Sequence, residues 1–195
     1  MSYGMKPLFT RLQIPPVLCG ILMFTLAACA DDSTECATEP VVASVWTDPQ
    51  TGLIWQADLP ETYATWRQAV DYCDSLNLDG QQDWRLPHIS ELRTLLSGCA
   101  PTVTGGECVV DDTCIENDCQ TNACYACAFG DGPMNGCYAK AVELDAPCEH
   151  YWSADRVPDV SDRAWAIGFA GGFIYKPRIY YSFHARCVRG VATAP

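Results

Sequence analysis

Cysteine is the residue type that most constrains how this chain can fold. The 195 residues contain 13 cysteines, and eight of them lie between residues 99 and 148. The same segment holds eight acidic residues, a single basic residue, Lys140, and few aliphatic side chains. A segment of this composition cannot bury a sufficient hydrophobic core, so cross-links must replace it. The redox state of the compartment therefore decides how this part of the chain folds.

The N-terminal segment predicts export from the cytoplasm. Lys6 and Arg11 precede an apolar run over residues 14–28, and the first acidic residue is Asp31. This run is shorter and more interrupted than the roughly 20 apolar residues of a membrane-spanning helix. It ends in Leu-Ala-Ala immediately before Cys29, which resembles the lipobox of bacterial lipoproteins. In such signals the cysteine is acylated and becomes the first residue of the mature protein.

We therefore predict a signal peptide over residues 1–28, a lipid on Cys29 and an acidic, flexible tether over residues 29–43. The alternative is ordinary cleavage after an alanine, which would leave a soluble periplasmic protein. Ala30 follows the cysteine, and the common sorting rule then favours the outer membrane. The expected location is the bacterial cell envelope, with the domain facing the periplasm or the cell surface.

Net charge limits the classes of partner. After the signal peptide the chain has 10 basic and 24 acidic residues, a net charge of −14. Nucleic acids and anionic lipid surfaces are bound through basic patches, so we expect neither as a partner. The membrane contact that we expect is through the lipid alone.

Eleven cysteines remain once Cys19 leaves with the signal peptide and Cys29 takes the lipid. In an exported chain these predict disulfides. Because eleven is odd, one thiol stays free, is blocked or pairs between chains, and Cys36 in the tether is the candidate for a dimer link. Cys124 and Cys127 form a Cys-x-x-Cys motif, but no histidine lies near it in the segment 99–148. Structural disulfides are favoured there over a redox pair or a zinc site.

Hydrophobic periodicity predicts the elements before the Cys-rich segment. Short strands are expected at residues 45–47 and 53–55, joined by a turn over residues 48–52. Thr65 and Gln68 form a capping box for a helix. The apolar stripe of that helix consists of Trp66, Ala69, Val70, Cys73 and Leu76.

A second helix is predicted over residues 89–96, with Gly98 ending it. The segment 99–148 is expected to contain little regular structure. The strands predicted for the last part of the chain are residues 151–153, 164–169, 173–175 and 185–189.

Six motifs follow one another along residues 44–190. They are Thr51-Gly52-Leu53-Ile54-Trp55, Trp66-x-x-Ala69-x-x-Tyr72-Cys73, Asp83-Trp84-Arg85-Leu86-Pro87 with Glu91-Leu92, Tyr151-Trp152-Ser153, Ala164-Trp165 with Phe169, and Arg186-Cys187-Val188-Arg189. In this order they resemble the Lcl C-terminal domain, a family of exported bacterial modules named after the Legionella collagen-like protein. The Cys-rich segment lies outside the resemblance.

The resemblance implies a fold of the α+β class over residues 44–192. That family is similar to the C-type lectin-like fold shared with formylglycine-generating enzymes, with two helices, a small twisted antiparallel sheet and, here, a long disulfide-rich loop insertion at 99–148. It implies a disulfide between Cys73 and Cys187. The eight remaining cysteines would then form four bridges whose pairing the sequence leaves open, with 105 arrangements. They are Cys99, Cys108, Cys114, Cys119, Cys124, Cys127, Cys137 and Cys148.

One residue departs from the family pattern. His88 stands where the family usually has a threonine as N-cap of the second helix. Histidine is a weaker cap, so we expect a slightly frayed helix start and no new site.

Clustered carboxylates in the insertion suggest a calcium site, because Ca²⁺ takes six to eight oxygen ligands. The residues concerned are Asp111, Asp112, Glu116 and Asp118. The sugar-binding triplets of calcium-dependent lectins are absent from the chain. A solvated acidic loop is the favoured interpretation, and no other cofactor is expected.

The C-terminal part suggests a basic aromatic face for an anionic glycan. Its residues are Arg163, Tyr175, Lys176, Arg178, Tyr180 and Tyr181. Internal pairing of these bases with the acidic loop is the favoured alternative. For the block Asp83-Trp84-Arg85, a structural role with Trp84 in the core and Arg85 paired to Asp83 or Glu91 is favoured over ligand contact.

We predict a non-catalytic binding module that recognises a surface glycan or an envelope protein. The alternative is a structural or interaction protein of the envelope without a small ligand, and an enzyme of the formylglycine-generating class is a remote one. The chain is not expected to be an enzyme, because His88, His150 and His184 are scattered and none lies in a motif with a nucleophile.

Overall fold

The computed structural model describes residues 44–59, 63–140, 144 and 148–191. The predictions for the signal peptide, Cys29, Cys36, the tether and the domain end at residue 192 lie outside these residues. Within them, none of the helices has the length and apolar character needed to cross a membrane.

Short elements in the order ββαα–ββββ form the fold, so the predicted α+β class is confirmed. Between the helices and the later strands, the insertion contributes two short 3₁₀ helices. The elements are β1 Val45–Thr47, β2 Ile54–Gln56, α1 Trp66–Ser75, α2 Ile89–Arg93, the 3₁₀ helices Asn117–Cys119 and Asn122–Tyr125, β3 His150–Arg156, β4 Ala164–Gly168, β5 Phe173–Tyr175 and β6 Val188–Arg189.

The strands form two antiparallel sheets in the described residues, with orders β1-β2-β6 and β3-β4-β5. The expectation of one sheet is therefore wrong, and so is the length of the last strand. The reason is that the final segment crosses from one sheet to the other. The main chain of His184 pairs with β3, accepting from Trp152 N at 3.1 Å, whereas Val188 pairs with Trp55 of β2. Only two residues are left for β6.

The hairpin and helix α1 confirm the local sequence signals. Gly52 takes a φ of 71° in the turn between β1 and β2, a conformation that glycine adopts without strain. The capping box of α1 is present, with Gln68 Oε1 accepting from Thr65 N at 3.0 Å. Ala69 and Cys73 are fully buried on the face predicted to be apolar. They pack in a cluster that includes Trp152.

Helix α2 begins at Ile89, as predicted, but it is shorter than predicted and its start is well capped. It ends at Arg93 because the next turn tightens, with Leu96 N donating to Arg93 O. The frayed start is also wrong. Asp155, from β3, accepts from Ile89 N at 2.6 Å, and Glu91 accepts from the His88 N–H at 2.8 Å. A carboxylate from a distant strand thus strengthens the cap that the histidine was expected to provide only weakly.

Disulfides fix the Cys-rich insertion, which has little regular structure, as predicted. The two cysteines of the Cys-x-x-Cys motif take separate partners. The five bridges are Cys73–Cys187, Cys99–Cys127, Cys108–Cys124, Cys114–Cys119 and Cys137–Cys148. The ten cysteines from Cys73 to Cys187 pair among themselves, so the domain leaves no partner for Cys36.

Side chains of the scaffold bind the main chain of the insertion. Arg93 is 4% exposed, and its guanidinium donates to the carbonyls of Thr102, Val103 and Val110 at 3.1, 2.8 and 2.5 Å. Trp165 Nε1 donates to Ile115 O at 2.8 Å. A coil lacks the ladder partners of a sheet, so these donors satisfy carbonyls that burial would otherwise leave unpaired.

Asp48 connects the first hairpin to the end of the insertion. Its side chain is fully buried, and both of its oxygens lie within about 3 Å of Lys140 Nζ. Gln50 N and Thr51 Oγ1 donate to the same carboxylate. Burial alone would raise the pKa of Asp48, but these hydrogen bonds and the charge of Lys140 lower it below the ordinary value.

Removing the Cys73–Cys187 bridge with serine at both positions is expected to lower the free energy of unfolding by about 5 kcal/mol, because the bridge spans 114 residues. The matched control removes Cys114–Cys119, which spans 5 residues, and should cost about 2 kcal/mol. Urea unfolding of the oxidised proteins measures both values. Equal losses of stability for the two pairs would contradict the dependence on the length of the closed loop.

Asp48→Asn is expected to lower stability by about 3 kcal/mol at pH 7, because Lys140 loses its counter-charge. Since the folded pKa of Asp48 is depressed, its contribution is complete above the unfolded pKa, about 4, and is lost as the pH falls toward the folded value. Urea unfolding at pH 7 and pH 3 should therefore show a smaller difference from the wild type in acid. A difference that stays constant would rule out the charge of Asp48 as its cause.

Candidate functional site

Aromatic rings pack together beside strand β5. Phe183 lies with its ring centroid 5.2 Å from that of His150 and 6.1 Å from that of Tyr175. The Tyr175 hydroxyl lies 2.6 Å from His150 Nδ1. Burial raises the pKa of Tyr175 and lowers that of His150. At neutral pH the tyrosine hydroxyl therefore keeps its proton and donates a hydrogen bond to the neutral imidazole.

A cleft of about 490 Å³ opens over this aromatic cluster. Its volume suits a small ligand or part of a larger one. One wall comes from β5 and the residues after it, and the other comes from the 3₁₀ helices of the insertion. The lining residues are Asn117, Gln120, Tyr125, Arg163, Tyr175, Lys176, Pro177, Tyr181 and Phe183.

Two neighbouring cations line the cleft. Arg163 Nη1 donates to the carbonyl of Lys176 at 2.7 Å, and Lys176 Nζ donates to the carbonyl of Asn117 at 2.6 Å. Burial and the charge of Arg163 lower the pKa of Lys176. Among the described residues no carboxylate lies within 4.0 Å of either cation. Both charges are thus available to an anion in the cleft.

The sequence favoured ion pairs between these bases and carboxylates of the acidic loop. Within the described residues, neither Arg163 nor Lys176 forms such a pair. Lys176 does contact the loop, but at the main-chain oxygen of Asn117. Its ammonium also lies 5.3 Å from the centre of the Trp165 ring. These contacts hold the lysine in place, and Asp159 and Asp118 act on its charge without forming an ion pair with it within 4.0 Å.

Four of the six residues predicted for the ligand face line the cleft: Arg163, Tyr175, Lys176 and Tyr181. Arg178 and Tyr180 lie outside the lining. Arg178 donates to the Tyr180 hydroxyl at 2.9 Å and lies 3.6 Å from Asp162. Its charge already has a partner.

The insertion supplies a wall of the cleft that sequence reasoning missed. Gln120 Nε2 donates to the Tyr125 hydroxyl at 2.5 Å and to the carbonyl of Ile174, in β5, at 3.0 Å. Tyr125 is about half exposed. In the sequence, the one signal for this wall was the aromatic residue Tyr125 in a segment poor in apolar side chains. No periodic pattern connected Tyr125 to β5.

The four carboxylates predicted to bind calcium do not converge. Asp111 accepts from Thr113 N at 2.8 Å, and Asp112 accepts from Ser90 Oγ at 2.5 Å. In the described part of the chain, no three of the four offer ligand atoms within 4.8 Å of one another. Asp112 instead lies near His88 and Asp155.

The block Asp83-Trp84-Arg85 has structural contacts. Arg85 makes a bidentate pair with Glu91, with both distances 2.6 Å. Asp83 accepts from Arg189 Nε at 2.7 Å, and Trp84 is buried in the same cluster as Cys73 and Trp152. These contacts connect the loop before α2 to helix α2 and strand β6, and they leave the block outside the cleft.

Comparison with known proteins gives one positive finding. No curated protein matches the chain. The sequence model of the Lcl C-terminal domain matches residues 44–189, from β1 to β6, and so spans most of the chain, including the insertion and the cleft. The resemblance drawn from the six motifs is confirmed, and the chain belongs to the Lcl C-terminal domain family.

Proposed function

We propose that the chain is a non-catalytic, lipid-anchored binding module of the bacterial cell envelope whose cleft binds a glycan with anionic groups. The observation that carries the proposal is the composition of the cleft. Four aromatic side chains lie there beside two cations that have no carboxylate within 4.0 Å in the described residues. The aromatic residues are Tyr125, Tyr175, Tyr181 and Phe183.

Each component of the cleft suits part of such a ligand. Aromatic rings offer flat apolar surfaces against the C–H faces of sugars. Arg163 and Lys176 would form charge-assisted hydrogen bonds with carboxylate or sulfate groups. Asn117 adds an amide that can donate to and accept from sugar hydroxyls, and Gln120 adds an amide oxygen that can accept from them.

The lipid anchor and the location belong to the same proposal. The lipobox-like sequence supports a signal peptide over 1–28, acylated Cys29 and a tether over 29–43, with the outer membrane as the site of attachment. The C-type lectin-like fold, which we propose from the family resemblance, would present the cleft on loops above a small scaffold. The tether would let that surface reach partners away from the membrane.

The arrangement of reactive side chains supports a non-catalytic role. His88 and His150 contact Asp155 and Tyr175, and neither contact involves a serine, threonine or cysteine nucleophile. All ten cysteines in the described residues are in disulfides, so these residues offer no thiol for a formylglycine-generating reaction.

Binding of a protein partner is a second candidate function. Phe129, in the insertion, is 75% exposed. An exposed aromatic ring on a cross-linked loop could serve as a contact point for a partner protein. In this case the chain would be an interaction protein of the envelope without a small ligand.

The oxidised chain in detergent is expected to bind sulfated or uronic-acid oligosaccharides more tightly than neutral ones on a glycan array. Arg163→Gln and Lys176→Gln should each weaken binding at least about 10-fold, because each removes one charge-assisted contact. Arg67→Ala is the control, since Arg67 lies outside the cleft lining and pairs only with exposed Asp71.

Added calcium and EDTA separate two mechanisms in this experiment. Binding that persists in EDTA and falls in high salt agrees with the cleft. Binding that disappears in EDTA would indicate that a calcium site, and not the cleft, binds the glycan. If no glycan binds in either buffer, the glycan proposal fails and a protein partner contacted through Phe129 becomes the leading function.

Cys29→Ser is expected to abolish acylation and release the chain from bacterial membranes, because no other residue of the lipobox-like signal can carry the lipid. Cys36→Ser is the matched control and should leave both properties unchanged. Incorporation of a fatty-acid analogue and membrane fractionation measure the two effects. Equal acylation of the two variants would contradict the lipoprotein proposal.

A further inference from the structure

Three potential metal ligands from distant parts of the sequence meet beside helix α2. His88 precedes the helix, Asp112 belongs to the insertion and Asp155 lies in β3. One ligand atom from each lies within 4.8 Å of those of the other two. His88 Nδ1 and Asp155 Oδ1 are 2.9 Å apart. The cluster is separate from the cleft, since none of the three residues lines it.

Neighbouring hydrogen bonds fix both carboxylates in this position. Asp155 Oδ2 accepts from Ile89 N at 2.6 Å, which leaves Oδ1 toward the imidazole. Asp112 accepts from Ser90 N at 3.3 Å and from Ser90 Oγ at 2.5 Å. Each carboxylate oxygen has two acceptor sites, so these bonds leave capacity for a metal ion. Bonds of this kind orient the ligands of metal centres.

The charge around the cluster favours a divalent cation. Arg85 is a nearby cation, and Glu91 neutralises it through the bidentate pair. The two carboxylates of the cluster therefore attract a cation. The His88 side chain is half exposed, so an ion can reach the cluster from solvent.

We propose that His88, Asp112 and Asp155 form a zinc site, with water as the fourth ligand. One imidazole nitrogen and two carboxylate oxygens are a donor set that zinc accepts, at bond lengths of about 2.0–2.2 Å. His88 Nδ1 and Asp155 Oδ1 are hydrogen-bonded at 2.9 Å, so they would move apart slightly to become two ligands of one tetrahedral zinc ion, which lie roughly 3.3 Å apart at those lengths. The nitrogen ligand disfavours calcium and magnesium, which prefer oxygen.

Zinc at this position would connect the insertion to the scaffold. Asp112 lies between Cys108 and Cys114, whereas His88 and Asp155 belong to the elements around α2. An ion that binds the folded state and not the unfolded chain raises the thermal midpoint. The site would thus act as a metal cross-link beside the disulfides, independently of any ligand in the cleft.

The test is a titration of the metal-free, oxidised full chain with ZnCl₂ at pH 7.5, measured by calorimetry, together with thermal unfolding. All samples carry serine at Cys19, Cys29 and Cys36, the three cysteines outside the five disulfides, so that no thiol binds the metal. We expect one zinc ion per chain and a higher thermal midpoint. Cobalt added in place of zinc should give the intense visible absorption of a tetrahedral site.

Two variants locate the site. His88→Thr keeps a good N-cap residue and Asp112→Asn keeps the size of the side chain, and each should lower zinc affinity at least about 10-fold. Asp118→Asn, another exposed acidic residue of the insertion, is the control and should bind zinc like the parent. Absence of zinc binding by the parent, or equal affinity in all four proteins, would overturn the proposal.

Discussion

In its described residues, the Cys-rich insertion has no sheet or long helix to satisfy the polar groups of its main chain, and the rest of the structure compensates for that. Arg93 holds three of its carbonyls on a guanidinium that is itself almost fully buried. Such a charge is tolerated in the interior because its donors are matched by acceptors, although burial lowers its pKa. Disulfides reduce the conformational freedom of the segment, but they satisfy no hydrogen bond, so both devices are needed.

The anchored insertion explains how the cleft can have two walls of such different kinds. Lys176 donates across the cleft to Asn117, and Gln120 donates back to Ile174 of β5. Tyr125 follows Cys124 in the chain, so the position of its ring depends on the Cys108–Cys124 disulfide. If the coil were mobile, each binding event would have to order it and would lose the corresponding conformational entropy. The cross-links remove most of that cost before a ligand arrives.

The features that were predictable from the sequence are those fixed by local chemistry. The Gly52 turn and the Thr65–Gln68 capping box depend on residues within a few positions of one another, and both are present. The start of α2 depends on Asp155, which is 66 residues from Ile89 and carries no local signal of its role. The pairing of the insertion's cysteines is of the same kind, because bridge geometry follows the three-dimensional path of the chain. Half of the cleft could be predicted from the bases and tyrosines of the C-terminal part; the half that the insertion contributes could not.

The two charged side chains that line the cleft, Arg163 and Lys176, are opposite in sign to the net charge of the chain. With a net charge of −14 after the signal peptide, the protein would repel a polyanion at long range. At physiological ionic strength the Debye length is about 8 Å, so carboxylates beyond that distance are largely screened, whereas a group in the cleft lies beside Arg163 and Lys176. Recognition of an anionic ligand would therefore rest on short-range contacts and not on attraction from a distance. We therefore expect slow association, with selectivity that depends on the fit of individual charged groups. This is the behaviour of a specific binding module and not of a protein that binds any polyanion.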